Sequence, residues 1–397
     1  LMLYATIKME VLLMANEKKS GIAKSDWASS FSLIGEAKVN DYTYKIDAKS
    51  EKSSWIYNSL NLGVDCGEKH GTVYCELMGG YSDERENVIY AHGKDDDGNE
   101  DWSKQIIVDW EDRFDESVLE EIGDGSFLTV GLEKTTAGKT YYKKFLSAYD
   151  AIAYIQEHLT DGTVVNIRGR LQYSIYNDTT QVRKTIQSIV LSNVDEPSKY
   201  RANFTQSILI DKESASLKKI DKDKGVMYVD ARVLDYVKEL NGVEIKGQYP
   251  FAKQFEFEVD PDNTDRCKKI FDKVFKVKKG ITQITFDGVF IEGGATITAT
   301  MDDVPEDIKD LIDLGIYTEE EALQKCSASG SRERRMVLRK PTTRLVGEDK
   351  IPTLQKFEQK YTEDDLVIDI GGDEEELPFD EDEDSSDDSD MSWLEDL

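Results

Sequence analysis

Cysteine is scarce. Cys66, Cys75, Cys267 and Cys326 are the only four in 397 residues, and no C-x-x-C pair occurs. That excludes a disulfide framework in a chain of this size and fits a reducing compartment. No apolar run approaches the roughly 18 residues a membrane helix needs, so the expectation is a soluble chain with no membrane partner. Histidine is rarer still, with three (His70, His92 and His158), and none lies near a nucleophile motif. A phosphate-binding GxxxxGK[ST] run is missing: Gly131 to Thr140 ends in Gly138-Lys139-Thr140, but Glu133 stands where the first glycine belongs. Zinc would draw on Cys66, His70 and Cys75, which are three ligands only, with His92 needed as the fourth; Cys75 also reads as a small buried apolar residue. The carboxylates Asp95, Asp96 and Asp97 sit in a loop rather than on a rigid core, as a nuclease or polymerase would require. The reading is a non-enzyme with no catalytic residue, no metal and no cofactor.

Positive charge is the other deficit, 50 basic against 80 acidic residues for a net −30. Its distribution matters more than its sum. Glu363 to Leu397 holds 18 acidic and no basic residues, whereas Arg201 to Thr362 holds 28 basic against 29 acidic. A block of like charge repels itself and reads as a disordered interaction tail over 363–397. At the other end, residues 1–30 read as a flexible arm. Met9-Glu10-Val11 can be encoded by codons that contain a bacterial ribosome-binding sequence, so Leu1 to Leu13 is expected to be translated leader and Met14 the native start.

Between these ends strands dominate. Phe31 to Val39, Ser54 to Asp65 and Thr72 to Met78 alternate as strands, the last two joined by a turn at Gly67 and Gly71. Tyr81 to Thr140 is a long acidic insertion with one strand at Phe127 to Leu132. Ser147 to Leu159 has helical spacing, with Ile152, Ile155 and Leu159 on one face. A hairpin follows, Thr163 to Tyr176 and Thr180 to Leu191, turning at Asn177-Asp178. The second half partly repeats this order. Val226 to Val237 fits strand or helix, Gln254 to Val259 a strand, Thr264 to Phe275 a helix and Ile281 to Ile291 a strand. Gly169 and Gly288 occupy the centres of the two strands that follow the helices, 119 residues apart. Pro305 to Cys326 reads as a helical pair, the second helix capped by Thr318 with Glu321 in the capping box. The domains expected are thus 31–196 with its insertion 81–140, 197–300, a helical pair plus basic segment 301–362, and the tail.

Three strands, a helix and a hairpin between Phe31 and Asn193 resemble an OB-fold, a small five-stranded barrel. The expected class is mainly β (α+β), with two OB-fold-like barrels and a connecting helix in each. Alternation points Ile56, Leu60, Leu62, Val64, Val73, Cys75, Leu77, Val165, Ile167, Leu171, Tyr173 and Ile175 inward. Trp55, Tyr57, Tyr74, Arg168, Arg170, Gln172 and Tyr176 then face out, joined by Arg183. Rings and guanidinium groups together suit a single strand of nucleic acid, since unpaired bases stack on rings while cations track phosphates. The opposing reading puts Trp55 and Tyr57 beneath the insertion and pairs the arginines with its carboxylates. A basic run, Arg332, Arg334, Arg335, Arg339, Lys340 and Arg344, offers sequence-independent phosphate contact, a dock for the acidic tail, or merely a solvated strand face.

Leu377, Pro378 and Phe379, then Trp393, Leu394 and Leu397, are apolar anchors set in dense acid. With the barrel-like region they resemble bacterial and bacteriophage single-stranded-DNA-binding proteins, whose acidic tail ends in a hydrophobic tip. Here Pro378-Phe379 is internal and the terminus is Trp393-Leu394-Glu395-Asp396-Leu397, which sets the chain nearer phage replication proteins. The resemblance implies protection of single-stranded DNA in replication and recombination, in the cytoplasm of a bacterial host. It also implies that the tail recruits a polymerase, helicase or recombinase. The runner-up is a protein-interaction adaptor or DNA mimic that does not bind DNA; a metal-dependent nuclease is third.

Overall fold

One way for side chains that alternate between apolar and polar to hide the apolar set is to curl the sheet until that face is enclosed. The chain does this twice. The computed structural model describes residues 26–293 and 333–366, less positions 52, 178, 195, 241, 242 and 348, with five isolated positions between 304 and 319. In chain order the strands are β1 Ser29–Lys38, β2 Tyr44–Lys49, β3 Trp55–Asp65, β4 Thr72–Ser82, β5 Val88–Lys94, β6 Glu100–Asp109, β7 Leu128–Lys134, β8 Thr140–Phe145, β9 Val164–Tyr176 and β10 Thr179–Leu191. The second half adds β11 Arg201–Ile210, β12 Ile220–Asp221, β13 Val226–Leu240, β14 Val243–Glu258, β15 Ile281–Gly293, β16 Glu333–Pro341, β17 Thr343–Val346, β18 Ile351–Leu354 and β19 Lys356–Tyr361.

Pairing closes a first ring in the order β1–β3–β4–β10–β9 and back to β1. A second ring runs β11–β13–β14–β16–β15 and back to β11. In both rings the third and fifth strands pair in parallel and a helix lies between the third and fourth, which is the OB-fold pattern. The first helix, Ala148–His158, is capped by the Ser147 side chain and buries Ala151, Ile152 and Ile155 against the barrel. The second, Thr264–Ile270, continues into a π turn at Phe271–Phe275, which seats Phe275 flat against Phe286 at 5.6 Å.

The barrels are joined by their first strands. β1 and β11 run antiparallel with Phe31 opposite Phe204. Phe31 in turn pairs with Gly169, and Phe204 with Gly288. The two glycines noticed in the sequence therefore hold equivalent places about a local twofold axis between the phenylalanines. Each is glycine for reasons of space. A Cβ at Gly169 would lie 2.0 Å from the Thr185 carbonyl and 2.7 Å from the Phe31 ring. At Gly288 it would lie 2.2 Å from the Phe204 ring and 2.6 Å from the Val337 carbonyl. Alanine at either position is expected to cost about 1–3 kcal/mol, the usual penalty of overpacking, measured by urea unfolding. Equal stability of both variants would refute the close-packed account.

Beside β7, the strand expected at Phe127 to Leu132, the insertion brings elements the sequence hides. β5 and β6 form a separate hairpin over a small core of Ala91, Val108 and Ile122. It docks through Arg113, which donates to Asp150 at 2.8 Å and lies over the Trp110 ring at 4.2 Å. β7 extends the first barrel by pairing in parallel with β10, and β8 forms the edge beyond it. β2, also unread, lies along β3. The ambiguous stretch at Val226 is strand throughout. The strand that closes the second ring, β16, comes from the basic segment, beyond residue 300 where the sequence reading ended that domain. The helical pair expected at Pro305 to Cys326 falls outside the described residues but for isolated positions. Among the described residues no helix is long and apolar enough to cross a membrane.

Candidate nucleic-acid interface

Strand period sets the outer wall of the first barrel. On β3, Leu60, Leu62 and Val64 are buried, and Trp55, Tyr57, Ser59 and Asn61 take the opposite face. Trp55 and Tyr57, two residues apart on that face, stack with centroids 4.8 Å apart and planes 16° from parallel. Both are half-buried rather than covered. Opposite Tyr57 on β4 stands Gly80, so no side chain rises beside the ring from that cross-strand position. On β4, Val73, Cys75 and Leu77 are buried, while Tyr74 and Met78 are 38% and 56% exposed. The Tyr74 ring lies over Gly63, its cross-strand partner. The outer wall thus carries Trp55 and Tyr57 at one end of β3, Met78 opposite Ser59, and Tyr74 beyond Glu76 towards the other end.

Cations flank this surface. On β9, Val165, Ile167, Leu171 and Tyr173 are buried, and Arg168, Arg170 and Gln172 are exposed. Neither arginine has an ion-pair partner among the described residues. β9 is two strands from β3 by way of β1 and three by way of β4 and β10, the latter roughly 14 Å at the usual strand spacing. Arg183 on β10 stands between them, with Nε 3.8 Å from a carboxylate oxygen of Glu76. Lys45 on β2, opposite Ser59, adds an exposed cation on the other flank. Tyr176 is exposed at the tip of the β9–β10 hairpin, at the far end of the same strand as Arg168 and Arg170.

The basic run behaves differently. Arg335 donates twice to Glu256, at 2.8 and 2.5 Å, and Arg339 bonds Glu258. Lys340 lies 3.8 Å from Asp287, and the Arg344 guanidinium sits over the Phe357 ring at 4.3 Å. Arg334 is exposed on β16. Most of the run is a barrel strand, and four of its described cations, Arg335, Arg339, Lys340 and Arg344, are engaged by neighbouring side chains. Arg332 and the tail residues Leu377, Pro378, Phe379, Trp393, Leu394 and Leu397 lie outside the described residues.

Met78 and Lys45 were not among the sequence candidates. Alternation along β4 points Met78 outward, a signal present in the sequence; Lys45 depended on recognising β2. The thiols of Cys66 and Cys75 are buried in the core, and burial pushes Cys75 up to about 12 and raises Cys66 likewise. His70 turns away from them, its Nδ1 donating to the Phe290 carbonyl of the second barrel at 2.9 Å.

A family model described as YorF matches residues 129–284, from β7 into β15. No curated protein matches the chain. Among solved structures, the crystal structure of a deletion mutant of the single-stranded DNA binding protein from Thermus aquaticus is similar at 9% identity and a TM-score of 0.27, over 66% of this chain and 87% of that one.

Proposed function

We propose that this chain binds single-stranded DNA and protects it without chemistry, serving DNA replication and recombination of a bacteriophage. The observation that carries the reading is the first barrel's outer wall. The stacked, half-buried pair Trp55 and Tyr57 shares that wall with Tyr74 and Met78, while Arg168 and Arg170, which have no ion-pair partner among the described residues, stand exposed on β9. Aromatic faces take bases of any sequence, and guanidinium groups a few strands away reach the phosphates between them. The acidic residues from Glu363 on, with Pro378-Phe379 and Trp393-Leu394, are proposed to hold replication proteins such as a polymerase, helicase or recombinase.

Titration with a dT oligonucleotide, followed by tryptophan fluorescence at two salt concentrations, tests the binding. Quenching is expected, with affinity falling as salt rises, by about 0.7 in log–log slope for each phosphate contact. Absence of binding at low salt, by the whole chain and by a chain ending at Thr362, would favour the adaptor reading. Cleavage of the strand that requires Mg²⁺ would favour a nuclease.

A further inference from the structure

We infer that the strand is held by the first barrel alone, because the matching face of the second is closed by ion pairs of its own. This rests on the single-stranded-DNA reading above and names the footprint within it.

The two rings can be overlaid residue by residue through their pairing. Glu76 contacts Thr185 where the third and fifth strands of the first ring meet, and Glu256 contacts Val337 at the same junction of the second. Leu60 pairs with Leu77 as Met227 pairs with Phe257. Gln254, Glu256 and Glu258 therefore hold the places of Tyr74, Glu76 and Met78. On the fourth strand, Asp287 and Val289 hold the places of Arg168 and Arg170, since Gly288 matches Gly169. The places of Trp55 and Tyr57 fall ahead of β13, at Lys222 and Lys224 in a turn.

Trp55, Tyr57 and Tyr74 of the first barrel are thus each replaced by a polar or charged side chain in the second. One feature is retained. Arg183 lies against Glu76 and Arg335 against Glu256, so both barrels tie their fifth strand to their third with an arginine–glutamate pair. Around the second pair the neighbouring carboxylates are also matched. Glu258 holds Arg339, Asp287 faces Lys340, and Asp230 takes Lys219 at 2.7 Å and the Gln254 amide at 2.7 Å. Burial alone would raise the Asp230 carboxyl; hydrogen bonds from Lys219 and Gln254 outweigh it and hold the group below the usual carboxylate range. A phosphate approaching the strands of this face meets four carboxylates whose countercharges are spent, with Lys222 and Lys224 exposed only on the turn at its edge, beside Asp221 and Asp223. On the first barrel it meets Arg168, Arg170 and Lys45, none ion-paired among the described residues.

Three variants of the full chain, titrated with dT oligonucleotide across a salt series, test the assignment. Arg168→Gln with Arg170→Gln is expected to weaken binding about tenfold at low salt and to flatten the log–log slope by about 1.4, two phosphate contacts. Arg339→Gln with Lys340→Gln, both on the surface of the second barrel, is expected to leave affinity within twofold. Glu256→Gln with Glu258→Gln frees two guanidinium groups and is expected to steepen the slope by about 1.4; circular dichroism checks that it folds. The inference is overturned if the second-barrel pair loses affinity as the first does, or if freeing Arg335 and Arg339 adds nothing. Failure of the unaltered chain to bind would overturn the functional reading, and this with it.

Discussion

Alanine at both Trp55 and Tyr57 is expected to weaken binding of a dT oligonucleotide by about 100-fold, since each ring stacking on a base contributes roughly 1–3 kcal/mol. The rings stand on β3 in register with Ser82 and Gly80, so their removal opens no hole in the barrel core. Thermal stability should therefore change little, which separates lost contact from lost fold. Phenylalanine at both positions keeps a flat face and is expected to restore most of the affinity. Retention of binding within threefold by the double alanine variant would end the stacking account, whatever the arginines do.

Glutamine at Glu292 is expected to destabilise the protein by about 3–5 kcal/mol, the cost of leaving a buried charge without its partner. Glu292, on the second barrel, lies 2.5 Å from Lys184 Nζ on the first, and both side chains are under a tenth exposed. The backbone around them leaves no slack. The Glu292 N–H donates to the His70 carbonyl at 2.8 Å, and a Cβ at Gly71 would fall 1.9 Å from the Glu292 carbonyl. Lys253 feels the same pair. Burial lowers its ammonium, Lys184 adds repulsion, and Glu292 alone offsets them. A lysine depressed in the folded state destabilises it while protonated, so stability gains from raising pH between its folded value and the ordinary 10.5. Without the glutamate that alkaline gain should grow. Methionine at both Lys184 and Glu292 removes the charges together and is expected to cost far less, or nothing. Urea unfolding of the two variants decides it: equal losses would mean that the seam depends on shape, not on the ion pair.

How far the fold could be read in advance depended on how local each signal was. The helix at Ala148–His158 and the hairpin of β9 and β10 carry their own caps, turns and period, so nothing distant is needed to recognise them. Trp55, Tyr57, Arg168 and Arg170 followed from alternation for the same reason. β2, β5 and β6 are short or polar, and gain their place only from a neighbour. β16 has just Met336, Val337 and Leu338 between charged residues, so its sequence reads as a basic patch. Its partners explain it. Glu256 lies 79 residues from Arg335, and Glu258 lies 81 from Arg339, and no local pattern announces pairs so remote. The repeated glycines were visible, but Phe31 and Phe204, which require them, become apparent only when β1 meets β11.

That meeting of Phe31 with Phe204 has an evolutionary corollary. In an assembly of identical subunits every substitution is copied to all of them, and neither half of a pair can specialise. Covalent linkage lifts that restriction. One polypeptide holds both members of the dyad, so each is free to mutate independently while the join between them persists on dilution.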